Sequence, residues 1–165
     1  MFEPLSRHHN RRGFCCGVDT LDYYIGKTAM QHAEKGVART FVLVPEENKT
    51  VIIGYYSLTV CEVRFEQLSD ADAKKLPKKH PIPAAKLARL AVSTEYQGQG
   101  YGAKLLVHAM GSFLQAQDAV GMSAFFVDAK DEKAACFYRK YGFIQGGDNP
   151  LCLYLPTETI RQAFQ

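Results

Sequence analysis

Residues 96–102 read YQGQGYG, between KLARLAVSTE (86–95) and AKLLVHAM (103–110). The left flank is a near-continuous apolar run, the pattern of a central strand covered on both faces. To the right, Leu105, Leu106, Ala109, Met110 and Phe113 recur at helical spacing. At the joint, Gly98, Gly100 and Gly102 have no Cβ, so the backbone is free to take positive φ and to approach a bound group closely. Exposed amides running into a helix start favour an anion, because the first N–H groups lack intrahelical partners and the helix dipole adds positive potential. A tight strand-to-helix turn that merely needs glycine accounts for the spacing equally well.

Working outward, EPLS (3–6) is short and extended, and DTLDYYIGKTAMQHAEKG (19–36) reads as one helix. Asp19 caps its start, Asp22 answers it as in a capping box, and Gly36 stops it. RTFVLVP (39–45) and VIIGYYSLTVCEVRF (51–65) are expected as paired strands joined by EENKT. The polar, proline-marked EQLSDADAKKLPKKHPIP (66–83) is a mobile insertion or a short helix. MSAFFVDA (122–129) is a strand, and DEKAACFYRKYG (131–142) a helix capped by Asp131. FIQ and LCLYL are further strands, and TETIRQAFQ a final helix. Strands alternating with helices imply an α/β or α+β sheet with helices packed on it.

The 165 residues suit a single domain. Hydrophobic residues make up 47% and charged ones 22%, which excludes disordered and fibrous classes. The basic N-terminus is followed by no long apolar core and the apolar runs are too short for a bilayer, so a cytoplasmic protein with no membrane role is expected. Five cysteines, an odd number without CxxC spacing, form neither a disulfide framework nor a zinc site; buried free thiols are the reading, and no metal is required. The net charge of +3 says little by itself. Its distribution says more: RHHNRR (7–12) is one basic cluster, and Lys74, Lys75, Lys78, Lys79, His80, Lys86 and Arg89 form a second with no acid between them. Such clusters draw in polyanions, or are simply solvated faces.

Two phosphate-binding patterns fail on detail. A P-loop ends in Gly-Lys-Ser/Thr, whereas Gly102 precedes Ala103 and Lys104. A dinucleotide fingerprint reads GxGxxG near the first strand, whereas these glycines read GxGxG past mid-chain. The order Gln97-x-x-Gly100-x-Gly102, then Ala134, Phe137-Tyr138 and Gly142-Phe143, resembles the GCN5-related N-acetyltransferase (GNAT) family. Asp131 stands where that family often has Asn, which weakens one cofactor contact.

The resemblance implies an α+β fold with a mixed sheet that splays after LARLAV, over one N-acetyltransferase domain spanning 1–165. It implies acetyl-CoA as cofactor, its pantetheine arm paired with the backbone of Leu90, Ala91 and Val92. The pyrophosphate falls to Gln97, Gly98, Gln99, Gly100, Tyr101 and Gly102, with Asp131, Ala134 and Phe137 completing the cofactor set. Tyr138 matches the family's frequent general acid, and its alternative is plain aromatic packing. Glu62 and Glu66 are conceivable bases, better read as exposed charges. A base is dispensable for a free α-amine, which titrates at about 7.7–8.0, but not for a lysine at about 10.4.

GFCCGVDTLDYYI, GYYSLTV, the lysine-rich segment ending HPIP, and LYLPTETIRQAF extend the likeness over nearly the whole chain, to the GNAT toxins of bacterial type II toxin–antitoxin systems (the TacT, AtaT and KacT group). This implies acetylation of the α-amino group on aminoacyl-tRNA and a block of translation. It also implies a cognate ribbon-helix-helix antitoxin, operator DNA contacted only through the antitoxin complex, and a homodimer. Lys74, Lys75, Lys78, Lys79 and Arg89 would then face tRNA. Arg89, a guanidinium in an apolar strand, needs a partner: a structural carboxylate or the tRNA end. The alternative is a GNAT enzyme acting on a small amine, an antibiotic or a protein amino group. A non-catalytic module binding CoA or nucleotide is a third possibility.

Overall fold

The computed structural model describes residues 1–78 and 80–165; Lys79 lies outside the described residues. Hydrogen bonding orders seven strands as β1-β2-β3-β4-β5-β7-β6. The described chain forms two compact units, residues 1–59 with 88–109 and residues 60–87 with 110–165.

In the first unit β1 (Phe2–Pro4) pairs antiparallel with β2 (Arg39–Leu43), and β2 with β3 (Gly54–Val63) in the register Leu43↔Gly54. Leu5, Phe14, Tyr24, Ile25, Ala29, Val42, Val44, Ile52, Tyr55 and Ala91 make its core. Residues 19–34 are not the single helix expected. α1 (Asp19–Tyr23) passes through a π-helical turn (Tyr24–Thr28) into α2 (Ala29–Glu34). The Ala29 N–H donates to the Tyr24 carbonyl five residues back, and the wider turn turns Tyr24 and Ile25 into the core. Neither acid makes a capping box: Val18 is the N-cap, without a side-chain bond, and Asp22 Oδ1 accepts from the Cys16 N–H at 2.8 Å. Gly36 does end α2, with φ at 69°.

β4 (Ile82–Val92) passes close to Gly54. A Cβ on Gly54 would lie 2.8 Å from both the Ala91 carbonyl oxygen and Leu105 Cδ1. One of those atoms is backbone, so Gly54→Ala is expected to destabilise the fold by about 1–3 kcal/mol. Urea titration checks this as a lowered midpoint at unchanged slope.

In the second unit β4 pairs parallel with β5 (Ala124–Asp128) through Ala85↔Phe125 to Leu87↔Val127. β5 pairs antiparallel with β7 (Cys152–Pro156), and β7 with β6 (Ile144–Gln145), so the sheet is mixed and the fold α+β, as expected. The stripe Leu105, Leu106, Ala109, Met110 and Phe113 of α4 (Tyr101–Ala119) is buried. The first part of the polar insertion, up to Ala73, is ordered by local bonds and by Tyr154. Phe65–Gln67 is a 3-10 turn, and α3 (Asp70–Ala73) is capped by Ser69 Oγ accepting from the Asp72 N–H. The buried Tyr154 donates its hydroxyl to Asp72 at 2.5 Å and accepts from the Ser69 N–H at 2.9 Å. α5 (Glu132–Lys140) and α6 (Thr157–Ala163) complete the unit. Among the described residues no helix is long and apolar enough to cross a membrane. All five cysteines are free; Cys16 and Cys152 are buried, but Cys15 and Cys136 are exposed, against the expectation of burial.

His108 of α4 packs its ring on Phe2 (centroids 3.9 Å apart) and meets the Tyr56 hydroxyl through Nδ1 at 2.7 Å. Burial lowers its pKa below the ordinary 6.5. Below 6.5 the unfolded chain takes up a proton that the folded imidazole refuses. The stabilisation is therefore complete above that pH and is lost as pH falls through the lowered folded value. Melting curves from pH 7.5 down to 5 are expected to show a fall in midpoint that His108→Gln reduces.

Candidate active site

In the first unit the turn after β4 is pinned from several sides. The Ser93 N–H donates to the Ile53 carbonyl at 2.8 Å and the Thr94 N–H to that of Cys15 at 2.9 Å. Thr94–Tyr96 forms a 3-10 turn, and Gln97 then spends its amide on the backbone: Nε2 donates to the carbonyls of Val92 (2.8 Å) and Cys16 (2.9 Å). Gln97 is thus a brace at the loop's entrance. Gln99 Nε2 reaches back to the Glu95 carbonyl at 3.3 Å.

Gly98 (φ 76°) and Gly100 (φ 83°) take left-handed conformations, while Gly102 sits inside the first turn of α4. A Cβ at Gly98 or Gly100 would meet no protein atom within 4 Å. The glycines therefore serve backbone conformation and leave open space above the loop, where the start of a 19-residue helix offers unpaired amides. That cradle suits a diphosphate. Tyr101 meets Tyr96 edge-on (5.9 Å), and Lys104, one turn into α4, places its ammonium 5.0 Å from the Tyr101 ring centre. Lys104 escaped selection in the sequence because it fails the P-loop pattern; a cation in the first turn after the glycines was the signal.

A third group in this unit, Glu3, His8 and His9, gathers potential ligand atoms within 4.8 Å of one another. The Ser6 N–H donates to His9 Nδ1 at 3.0 Å, so the His9 proton sits on Nε2 and is donated to Glu3 at 2.5 Å. This is a hydrogen-bonded pair that lowers the Glu3 pKa, and the tautomer opposes metal ligation through that nitrogen.

In the second unit Asp131 Oδ1 accepts from the Ala134 N–H at 2.8 Å and starts α5, as expected of a capping Asp. The Ala134 amide is thereby committed to the cap. Phe137 is half-buried, 5.2 Å from both the Tyr138 and Tyr141 rings. Tyr138 is only 7% exposed, edge-on to Phe143 at 5.5 Å, and its hydroxyl has no hydrogen-bond partner among the described residues. Burial pushes its pKa from 10.0 up to about 12. A phenol whose ring is buried while its unengaged O–H is not sealed from solvent is a proton donor in reserve, whereas Tyr141, four-tenths exposed, has no such setting.

Residues 37–145 match the acetyltransferase (GNAT) domain family. The chain belongs to the GNAT acetyltransferases.

This acetyltransferase is 28% identical to the probable toxin TacT of Sinorhizobium fredii, over 98% of this chain and 93% of that one. It is 32% identical to the tRNA-acetylating toxin of Mycobacterium tuberculosis, over 90% and 86%. Among solved structures it resembles a tyrosine-to-phenylalanine mutant of KacT (32% identity, TM-score 0.93, covering 99% and 98%). AtaT complexed with acetyl-methionyl-tRNAfMet gives 32% identity and a TM-score of 0.91 over 100% and 99%. An AtaT mutant toxin bound to acetyl-CoA and to the C-terminus of the antitoxin AtaR gives 29% and 0.83 over 100% and 98%.

The remaining candidates of this GNAT chain fall into distinct settings. Glu62 and Glu66 are exposed. Lys74, Lys75 and Lys78 are exposed just after α3, while Lys86 is paired with Asp128 at 2.7 Å and leaves the basic cluster. Of the two partners considered for Arg89, the structural carboxylate is not found among the described residues. Its guanidinium lies 3.5 Å over the ring of Tyr24.

Proposed function

We propose that the chain is an acetyl-CoA-dependent N-acetyltransferase toxin, one domain over residues 1–165, that acetylates the α-amino group of aminoacyl-tRNA and thereby halts translation. The observation that carries this reading is the full-length likeness to AtaT complexed with acetyl-methionyl-tRNAfMet. The tRNA-acetylating relative and the lysines just after α3 support it, since phosphate contacts by Lys and Arg release counterions. The likeness to AtaT bound to AtaR favours neutralisation by a cognate antitoxin. We take that antitoxin to be of the ribbon-helix-helix class, bridging to operator DNA, and the toxin to be a homodimer in the cytoplasm.

Acetyl-CoA supplies an activated acetyl thioester. The amides of residues 98–102 and the start of α4 would hold the diphosphate, with Gln97 fixing the loop from beneath. The backbone of Leu90, Ala91 and Val92 would hold the pantetheine arm. Asp131 and Ala134 form the start of α5 and Phe137 packs edge-on against Tyr138, so that together they orient Tyr138, whose Oη holds the proton needed by the leaving sulfur. No carboxylate is assigned as base, because an esterified α-amine is largely neutral near pH 7.

Incubation with labelled acetyl-CoA and total charged tRNA tests the reading. Label is expected on the aminoacyl group of charged tRNA and absent after deacylation of the tRNA. Equal labelling of free amino acids, polyamines or protein lysines would replace it with a small-amine or protein acetyltransferase.

A further inference from the structure

We propose that Arg89, laid flat on Tyr24, is the positioning residue that grips a phosphodiester at the acceptor end of the tRNA. The inference rests on the proposed substrate and names a contact within it.

A guanidinium in the strand LARLAV has to be compensated for its lost water. The ring of Tyr24 compensates one face, 3.5 Å from the guanidinium carbon. A ring face does nothing for the N–H groups in the guanidinium plane, of which there are five. Among the described residues Arg89 has no ion pair and no side-chain hydrogen bond, and it is only half-buried. An Arg kept for structure alone would spend that fork on a carboxylate or carbonyl, as Arg139 does on Glu132 and Pro150.

The platform beneath it is rigid. Tyr24 is 3% exposed, its hydroxyl meets His32 Nδ1 at 3.1 Å, and its ring stacks on Tyr55 at 6.4 Å. It opens the π-helical turn Tyr24–Thr28, a rare geometry that recurs at functional sites. The guanidinium is therefore held in one plane before any ligand arrives, which limits the entropy lost on binding. A planar fork matches a phosphodiester in a bidentate manner, as a lysine does not. Arg89 directly precedes Leu90–Val92, the backbone assigned to the pantetheine arm, so the tRNA end is gripped next to where the acetyl group is delivered. Every tRNA shares that end, so Arg89 contributes affinity and no choice of isoacceptor.

Anisotropy with a labelled minihelix carrying the 3′ acceptor end tests this without catalysis. Melting curves and acetyl-CoA titrations first establish that each variant folds and takes up cofactor. Arg89→Gln is expected to weaken minihelix binding at least about tenfold and to reduce the slope of log affinity against log salt by about one. Arg89→Lys, which keeps charge but loses the fork, falls between Gln and wild type. With charged tRNA, Arg89→Gln raises KM with little change in kcat. Wild-type affinity and salt slope in Arg89→Gln, no minihelix binding by the wild type, or a defect confined to antitoxin binding would each overturn the assignment. A failure of charged-tRNA acetylation with normal, Arg89-dependent minihelix binding would sink the proposed reaction and leave the contact standing.

Discussion

Tyr138→Phe is expected to lower kcat by about 10²–10⁴-fold, the range typical of a lost general acid, while acetyl-CoA affinity stays near that of wild type. The change removes one oxygen that has no hydrogen-bond partner among the described residues, so no protein group is left unsatisfied and the melting temperature should hold. The same burial that lifts the phenol to about 12 sets the pH behaviour. A folded-state pKa raised above its ordinary 10.0 keeps the proton in place through the neutral range. The wild-type rate should therefore climb with the α-amine's deprotonation, below the 7.7–8.0 of a free α-amino group because the neighbouring ester lowers it, and show no descending limb before strongly alkaline pH. In bacteria, induced expression of wild type is expected to arrest growth and Tyr138→Phe to relieve the arrest. Full toxicity of the Phe variant, with a rate within a few-fold of wild type, would remove Tyr138 from the chemistry.

Gly100→Val is expected to abolish cofactor binding while leaving a folded protein. A Cβ at that position meets no protein atom within 4 Å, so the only internal cost is a branched residue at φ 83°. That strain is roughly 1–2 kcal/mol, a modest fall in melting temperature. The added methyl groups occupy the space offered to the diphosphate and bias the loop away from the conformation that aims its amides outward. Acetyl-CoA affinity should fall by more than about thirtyfold, beyond what about 2 kcal/mol of strain accounts for. Titration of the variant beside its melting curve separates the two effects. Retained affinity would mean that the open space above the loop is not where the cofactor lies.

Gly100 was visible in the sequence for a local reason, and Tyr138 through the resemblance of the motif around it. The glycines stand between an apolar strand and a helical stripe, and Asp131 caps α5 through a bond spanning three residues. Periodicity likewise marked β2, β3, β5 and the buried face of α4, because each signal is contained within its own element. What escaped reading depends on partners far along the chain. Gln97 matches a cofactor motif, yet its amide braces the carbonyl of Cys16, 81 residues away. Lys86 belongs to a basic run on paper and is neutralised by Asp128, 42 residues on. The π-helical turn has no local signature in DTLDYYIGKTAMQHAE, since it follows from seating Tyr24 and Ile25 in the core together. Arg89 was marked as needing a partner, but that the partner is an aromatic face emerges only once that turn is formed.

Calorimetric titration of the wild-type protein with acetyl-CoA, beside acetyl-pantetheine lacking the nucleotide diphosphate, tests the chemistry at its root. Saturable one-to-one uptake of acetyl-CoA is expected, with the truncated thioester bound at least about a hundredfold more weakly, a difference of about 2.7 kcal/mol for the diphosphate at the 98–102 loop. Folded protein that takes up no acetyl-CoA, or that binds both compounds alike, would contradict the anion-cradle reading on which the transferase mechanism stands.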